Sequence, residues 1–209
     1  MIFASKTDVG KKRQNNEDSV LAKENLLIVA DGMGGHNAGE VASSVAVSTV
    51  DEMLSATQSD FAKNLINAVE TANEKIFSMA KDDRLGMGTT LEVVLYKEDT
   101  YYIAHVGDSR IYLIRDGKME KLTKDHSYVE LLRQKGELTE EEAKNYPMKN
   151  MITKAVGVAG EVKADYKEVM AKKGDILVLT SDGLTNMVSD EEIKEIVTKM
   201  RPIRQWNFW

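Results

Sequence analysis

The sequence contains no cysteine. Disulfide bonds, thiolate catalysis and zinc sites built from thiolates are therefore excluded. Long hydrophobic runs are also missing: no stretch is long enough to cross a bilayer, and the first residues lack the apolar region of a signal peptide. We therefore expect a cytoplasmic protein that has no membrane partner.

The charge balance argues against nucleic acid as the main partner. The 209 residues include 28 basic and 34 acidic side chains, which give a formal net charge of -6. Proteins that bind nucleic acid through its phosphates usually show a basic excess. With 42% hydrophobic and 30% charged residues, the composition is that of an ordinary globular domain large enough for a substantial core.

The sequence is organised around the stretch Asp31-Gly32-Met33-Gly34-Gly35-His36, which follows the apolar run 26–30 and precedes a helical pattern. A carboxylate at the end of a rigid strand, followed by glycines that allow close approach of the backbone, suits a hard cation that prefers oxygen ligands. The alternative is a strand-to-helix turn in which the Asp31 carboxylate only accepts hydrogen bonds from turn amides. The hexapeptide alone leaves both interpretations open.

The same pattern recurs later in the chain. The apolar run 176–180 ends at Ser181-Asp182-Gly183, and Asp108 follows Gly107 at the end of another predicted strand. Two strand–Asp–Gly endings in one chain are hard to attribute to chance. The repetition favours a function for these carboxylates.

The remaining pattern predicts an α+β fold, because long strands and hairpins alternate with paired helices rather than with single crossover helices. Within the strand predicted at 88–96, Glu92 either faces solvent or needs a partner. A turn at 115–118 indicates a hairpin. Further strands are predicted before residue 8 and at 100–106, 111–115, 151–156 and 166–170, and helices at 38–54, from 61 onward and from 190 to about 200.

Helical spacing predicts which faces of the first two helices pack in the core. The first helix has one stripe, consisting of Val41, Val45, Thr49 or Val50, and Met53. The second has another, consisting of Phe61, Leu65, Val69, Ala72 and Ile76.

Taken in order, six motifs resemble the PP2C (PPM) family of metal-dependent serine/threonine protein phosphatases, most closely its compact bacterial members. Six motifs in the correct order are far more specific than any one of them. They are Arg13…Glu17-Asp18, Asp31-Gly32-Met33-Gly34-Gly35-His36, Gly86-Met87-Gly88-Thr89-Thr90, Gly107-Asp108-Ser109-Arg110, Asp125-His126-Ser127 and Ser181-Asp182-Gly183.

The resemblance implies a fold and a domain plan. It covers residues 1–200, expected to form one phosphatase domain with two antiparallel β-sheets flanked by helix pairs, an αββα sandwich. The polar segment 125–148 is similar to the family's flap, which influences substrate access. Residues 201–209 form an atypical tail.

The resemblance also implies a metal centre with Mn²⁺ or Mg²⁺, two ions in the core site and a third in bacterial members. Asp31 resembles the carboxylate that bridges two metals, with the carbonyl of Gly32 as a further ligand. Asp182 resembles a ligand of the second metal. Asp108 resembles part of the third-metal site.

Four further residues take roles from the same resemblance. Asp18 and Glu17 resemble acids that hold metal-bound waters, Asp18 as a metal-site residue and Glu17 behind it. Arg13 resembles the residue that grips the substrate phosphate, for which a guanidinium fork is well suited. His36 is a candidate proton donor to the leaving oxygen, although a histidine near a helix start is more often structural.

The implied reaction is hydrolysis of phosphoserine and phosphothreonine in proteins by a hydroxide that bridges two cations. The implied partners are phosphorylated proteins, the substrates of a bacterial serine/threonine kinase, and we expect the phosphatase to be a monomer. Metal ions and Arg13 would neutralise charge on the phosphoryl oxygens.

The sequence departs from the family at its end. No Asp-Asn pair follows Asp182, although the family's closing strand carries one whose aspartate binds the second metal. The chain ending resembles a truncation or an altered tail, so we expect weaker metal binding, and a sheet can lose its last strand. The alternative function is a catalytically impaired relative that binds phosphoproteins without turnover. An inert scaffold or unfolded fragment is a third possibility.

Overall fold

The computed structural model describes residues 2–11, 13–34 and 38–199. The strands are β1 (Asp18–Ala22), β2 (Leu26–Met33), β3 (Gly88–Thr89), β4 (Leu91–Lys97), β5 (Thr100–Val106), β6 (Arg110–Arg115), β7 (Lys118–Lys121), β8 (Asp165–Met170) and β9 (Ile176–Thr180). The α-helices are α1 (Ala38–Ser55), α2 (Phe61–Met79), α3 (Tyr128–Gln134), α4 (Glu140–Lys144), α5 (Asp182–Thr185) and α6 (Asp190–Lys199). No helix among the described residues is long and apolar enough to cross a membrane.

The larger sheet carries the first core. Its order is β1-β2-β4-β5-β8, with β3 also paired to β2, and every pairing is antiparallel. Alternate residues of β2 are buried, because one face of the sheet is covered by α1 and α2. The core-facing stripe predicted for α2 is confirmed, since all five of its residues are buried.

The stripe predicted for α1 is confirmed only in part. Thr49 and Val50 are buried as predicted, whereas Val41, Val45 and Met53 only pack against the edge of the core. The fully buried positions in the first half of the helix are Ala42, Ser43 and Ala46. Small side chains let the helix lie close to β2 and α2, a contact that hydrophobicity alone does not reveal.

A smaller sheet, of order β7-β6-β9, faces the larger one. Between them, Val94 and Ile103 of the larger sheet join Ile111 of β6 in a second buried cluster, against which Leu177 and Leu179 pack. On its other side, Tyr112 donates a hydrogen bond of 2.8 Å to Asp190 at the start of α6. The predicted α+β class with two antiparallel sheets is therefore confirmed.

Two predicted strands are wrong. Residues 2–9 form no strand, because their backbone groups join no ladder with any described strand. Residues 151–156 make only single bridges, Ser127 with Ile152 and Thr89 with Val156. Apolar patterning shows that a segment can be extended, but a strand also needs a neighbouring backbone along its whole length.

The predicted hairpin is present, and the segment predicted to be the flap contains two short helices. Between β6 and β7, Asp116 and Gly117 both have positive φ (50° and 72°), as a tight hairpin turn with a right-handed twist requires. The segment 125–148 contains α3 and α4, and Thr139 forms a capping box with Glu142 at the start of α4. Tail residues 201–209 lie outside the described part of the chain.

Candidate active site

Strand register places two of the predicted site residues side by side. Asp18 at the start of β1 lies directly opposite Asp31 in β2, so their side chains share one face of the sheet. The hydroxyl of Ser181 donates a hydrogen bond of 2.9 Å to Oδ2 of Asp18. Because Ser181 directly precedes Asp182, this bond places the end of β9 beside Asp18 and Asp31.

The backbone of Asp31 is held by two threonines of the Gly-Thr-Thr motif. Thr90 Oγ1 accepts a bond of 2.9 Å from Asp31 N, and Thr90 N donates one of 2.9 Å to Asp31 O. Thr89 Oγ1 donates a further bond of 3.0 Å to that carbonyl. Thr90 Oγ1 is also hydrogen-bonded to Ser109 Oγ, 2.8 Å away beside Asp108, and either hydroxyl can be the donor.

These threonines and Ser109 are site residues whose roles the sequence did not reveal. All three are buried polar side chains, and Thr89 and Ser109 have no exposed surface. Buried hydroxyls must find hydrogen-bond partners, so polar residues next to apolar strand runs are the signal that could have identified them. Together they link the motifs that contain Asp31 and Asp108.

Gly32 is required by close packing. A Cβ at this position would lie 2.0 Å from the carbonyl oxygen of Gly39 and 2.6 Å from that of Glu17. The first turn of α1 therefore rests directly on β2 just after Asp31, and Gly32 N donates a bond of 3.1 Å to Glu17 O. No side chain other than hydrogen fits there.

Burial and neighbouring acidic charges raise the pKa values of Asp18, Asp31 and Asp108. Burial raises the pKa of Asp31 to about 8, and the charges of Asp18, Asp182 and Asp108 add to this effect. Burial and then the charge of Asp182 raise the pKa of Asp108 to about 6. The pKa of Asp18 is also raised, mainly by burial. The carboxylates are close enough to disfavour each other's ionisation.

Across the described ranges, no lysine, arginine or histidine forms an ion pair with any of these four aspartates. Within 2–11, 13–34 and 38–199, likewise, no three acidic, histidine or cysteine side chains are already arranged to hold a metal ion. The donor chemistry nevertheless fits divalent cations, because the set consists only of hard oxygens whose mutual repulsion a cation would relieve. The fold thus brings the predicted ligands near one another, but their side chains, all within the described part of the chain, do not converge on a single metal position.

Arg13 and Glu17 lie at the rim of this cluster. The Arg13 side chain is 77% exposed, and its guanidinium stands 3.4 Å from the Glu17 carboxylate. The charge of Arg13 also favours the ionised form of Asp18. An exposed, weakly paired arginine beside a group of acids is free to turn toward an incoming anion. His36 lies outside the described residues.

Sequence comparison finds several relatives. A model of the family described as protein phosphatase 2C matches residues 7–207. Protein phosphatase PhpP of Streptococcus pneumoniae serotype 2 is 44% identical over 207 residues, which are 94% of this chain and 84% of PhpP. The serine/threonine phosphatase stp of Listeria innocua is 40% identical over 212 residues, which are 96% of this chain and 84% of stp.

Structure comparison also finds serine/threonine phosphatases. The Mycobacterium tuberculosis serine/threonine phosphatase PstP/Ppp superimposes with a TM-score of 0.87 at 41% identity, over 92% of this chain and 83% of that one. The catalytic domain of PstP in complex with two manganese ions gives a TM-score of 0.85 at 40% identity, over 92% of this chain and 82% of that domain.

Proposed function

This chain belongs to the protein phosphatase 2C family, and we propose that it hydrolyses phosphoserine and phosphothreonine in proteins with Mn²⁺ or Mg²⁺ bound at the aspartate cluster. One observation carries the proposal: the buried Asp31 carboxylate is surrounded by Asp18, Asp108 and Asp182 without a basic ion-pair partner among the described residues. Such a cluster is stable in its ionised form only when a cation is added.

The proposed ligands are Asp18, Asp31, the carbonyl of Gly32 and Asp182 for two ions, with Asp108 contributing to a third. The chemistry that divalent cations supply at such oxygens is Lewis acidity, which lowers the pKa of water and offsets charge on the phosphoryl oxygens. The chain's own contribution is rigidity. The hydroxyls of Thr89 and Thr90 hold the Asp31 backbone, and the Ser181 hydroxyl orients Asp18.

Arg13 is the proposed phosphate-binding residue. Its exposed guanidinium can form two parallel hydrogen bonds to phosphate oxygens, and its long pairing with Glu17 costs little to exchange. Glu17 supports the site from behind, since its backbone carbonyl also accepts hydrogen bonds from Gly32 N and from the Ser43 hydroxyl. His36 is the proposed proton donor to the leaving serine or threonine oxygen.

We also propose a setting for the enzyme. Residues 1–200 are assigned to one phosphatase domain with the flap at 125–148, and residues 201–209 are an atypical tail in sequence. The enzyme acts as a monomer in the cytoplasm on substrates of a bacterial serine/threonine kinase. The relatives named as serine/threonine phosphatases support the substrate class, and a chain without cysteine suits a reducing compartment.

The test is phosphate release from a phosphothreonine peptide in Mn²⁺ and in EDTA, with Asp31→Asn as the variant. Asp175→Asn is the control, because it makes the same chemical change at another buried carboxylate. Unlike Asp31, Asp175 is ion-paired, to Arg115 in the hairpin region. We expect release that needs Mn²⁺, disappears in Asp31→Asn and survives in Asp175→Asn.

Two other outcomes separate the alternatives. Folded protein that binds the phosphopeptide in Mn²⁺ without releasing phosphate would support the impaired relative instead. Equal activity of Asp31→Asn and wild type would contradict the proposed site.

A further inference from the structure

We propose that His126 is a positioning residue for Asp108 and for the flap. Its ring nitrogen Nδ1 accepts a hydrogen bond of 3.0 Å from the amide of Gly107, the residue before Asp108. The inference deepens the proposed function, because it assigns a residue that orients one of the proposed metal ligands. His126 itself touches neither the substrate nor the aspartate cluster.

His126 and Gly107 are joined by two hydrogen bonds, and each residue donates one of them. His126 N donates a bond of 2.7 Å to Gly107 O, and the ring accepts the bond from Gly107 N. Gly107 is buried and has a φ of +116°, and a Cβ on it would lie 2.6 Å from Cβ of Thr90. The turn is thus compressed against the threonine that holds Asp31, and its buried amide depends on the imidazole for a partner.

The imidazole is locked in the orientation that this bond needs. Its ring stacks on His105 with a centroid distance of 4.6 Å, and its Nε2 lies 3.2 Å from the Asp165 carboxylate. His105 is itself fixed, because its two ring nitrogens lie 2.7 Å from Glu92 Oε1 and 2.8 Å from Lys124 O. With Asp165 as an acceptor at Nε2, the proton sits on Nε2 and leaves Nδ1 free to accept.

The surroundings also keep the ring neutral. Burial lowers the pKa of His126 to about 4, and the charges of His105 and Lys154 lower it further. Lys154 Nζ lies 3.2 Å from Nε2 and donates its hydrogen bond to Asp165 rather than to the ring, because Nε2 carries the proton. A neutral imidazole has one acceptor nitrogen, and here that nitrogen faces Gly107.

The same residue begins the flap. His126 O accepts a bond of 2.8 Å from Thr153 N, and two residues later Tyr128 N donates one of 2.8 Å to Met151 O. These bonds close the base of the segment 125–148. His126 therefore joins two parts that are distant in sequence, the turn that carries Asp108 and the root of the flap, so that a shift of one must move the other.

Three substitutions of His126 distinguish the hydrogen bond that Nδ1 accepts from Gly107 from the other contacts of the ring. In His126→Asn the side-chain oxygen can occupy the position of Nδ1, whereas in His126→Gln it reaches toward the position of Nε2. His126→Ala has neither. All three lose the stacking on His105, so differences among them report on the bond to Gly107 rather than on packing.

The first readout is binding of Mn²⁺ to the full chain, measured by calorimetry and by the electron paramagnetic resonance signal of free Mn²⁺. We expect His126→Asn to bind Mn²⁺ within about threefold of wild type. We expect His126→Ala and His126→Gln to weaken the weakest Mn²⁺ site by about 10-fold, as loss of residues that orient metal ligands generally does. Equal Mn²⁺ binding in Asn and Ala variants, or no Mn²⁺ binding by the wild type, would overturn the proposal.

The second readout does not depend on metal or activity. Hydrogen exchange of the Gly107 amide in EDTA should be at least about 10-fold faster in His126→Ala than in His126→Asn. Equal exchange rates in the two variants would show that the imidazole does not hold this turn. A wild type that binds Mn²⁺ but releases no phosphate would refute the proposed function alone, and both readouts would still decide the role of His126.

Discussion

Two groups of buried carboxylates in this protein have pKa values that are shifted in opposite directions. Burial by itself would raise the pKa of Asp125, but hydrogen bonds of 2.7–3.2 Å from Arg110 and Lys121 hold it below its usual range. Asp175 has its pKa lowered in the same way, chiefly by Arg115. The pKa values of Asp31 and Asp108 are raised instead, to about 8 and about 6.

The difference separates acids that are ion-paired within the fold from the acids of the proposed metal site. Where a carboxylate serves the fold, the chain supplies a cation for it, because breaking or omitting one partner of a buried pair is costly. Where the acids gather at strand ends, the described residues supply neighbouring acids instead. Maintaining that repulsion destabilises the apoprotein, and a ligand of opposite charge would reverse the effect. Strongly raised pKa values in such a cluster are therefore a functional signal.

The largest effect is expected for Asp31→Asn. Activity should fall on the order of 10³-fold, the size of effect seen when a group that stabilises transition-state charge is removed. At the same time, the metal-free variant at pH 8 should be more stable than wild type by about 2 kcal/mol, because the costly buried charge is gone. Phosphate release and denaturant unfolding in EDTA measure the two effects. A loss of both activity and stability would mean that Asp31 serves the fold rather than the proposed metal site.

The opposite sign is expected for Asp125→Asn. This substitution removes the ion-pair partner of Arg110, whose side chain is only 27% exposed, and should lower the free energy of unfolding by about 2 kcal/mol. Denaturant unfolding in EDTA at pH 8 provides the measurement. A variant as stable as wild type would erase the distinction between the two groups of acids.

The pH dependence of the metal-free protein should follow the raised pKa values. Asp31 binds its proton more tightly when folded, with a pKa of about 8 against the ordinary value of 3.8. Its contribution to stability is therefore full below about pH 3.8 and is lost as the pH rises through 8. Saturating Mn²⁺ should stabilise the protein more at pH 8 than at pH 6. Thermal melts in EDTA and in Mn²⁺ check both statements.

Glu92 provides the control for this titration. Its pKa is also raised to about 8 by burial, although His105 opposes the shift, so it contributes a slope of the same sign. In Asp31→Asn the slope should shrink, and Glu92→Gln should remove part of what is left. His126, with its pKa lowered to about 4, contributes a slope of the opposite sign below pH 6.5, so the decisive quantity is the difference between wild type and Asp31→Asn. If that difference in stability did not change between pH 5 and pH 8 in EDTA, the raised pKa of Asp31 would be contradicted.

The smallest effect on stability is expected for Arg13→Ala. Its exposed pairing with Glu17 adds little to folding, so the melting temperature should hardly change. The KM for a phosphothreonine peptide should nevertheless rise about 10-fold, because charge-assisted hydrogen bonds to phosphate are lost. Lys167→Ala, which removes another exposed cation, should change neither quantity. An unchanged KM in Arg13→Ala would exclude it from phosphate binding.

Much of the fold could be predicted from the sequence because it depends on local periodicity. The apolar run of β2, the stripe of α2, the hairpin turn at Asp116-Gly117 and the helix cap at Thr139 are all specified by neighbouring residues. The order of the motifs was also enough to indicate the family. Each of these features needs only a few consecutive residues or their order along the chain.

Tertiary structure decided which surfaces and charges meet. Glu92 is buried and is paired with His105 on the neighbouring strand, and the β4–β5 register places the two residues opposite each other. The buried face of α1 follows its close approach to β2 at Gly32 and Gly39, and the contact of His126 with Gly107 joins segments 19 residues apart. Local sequence specifies each strand end and its aspartate. Only the packing of separate strands, which depends on all their surfaces at once, brings those aspartates close enough to repel one another.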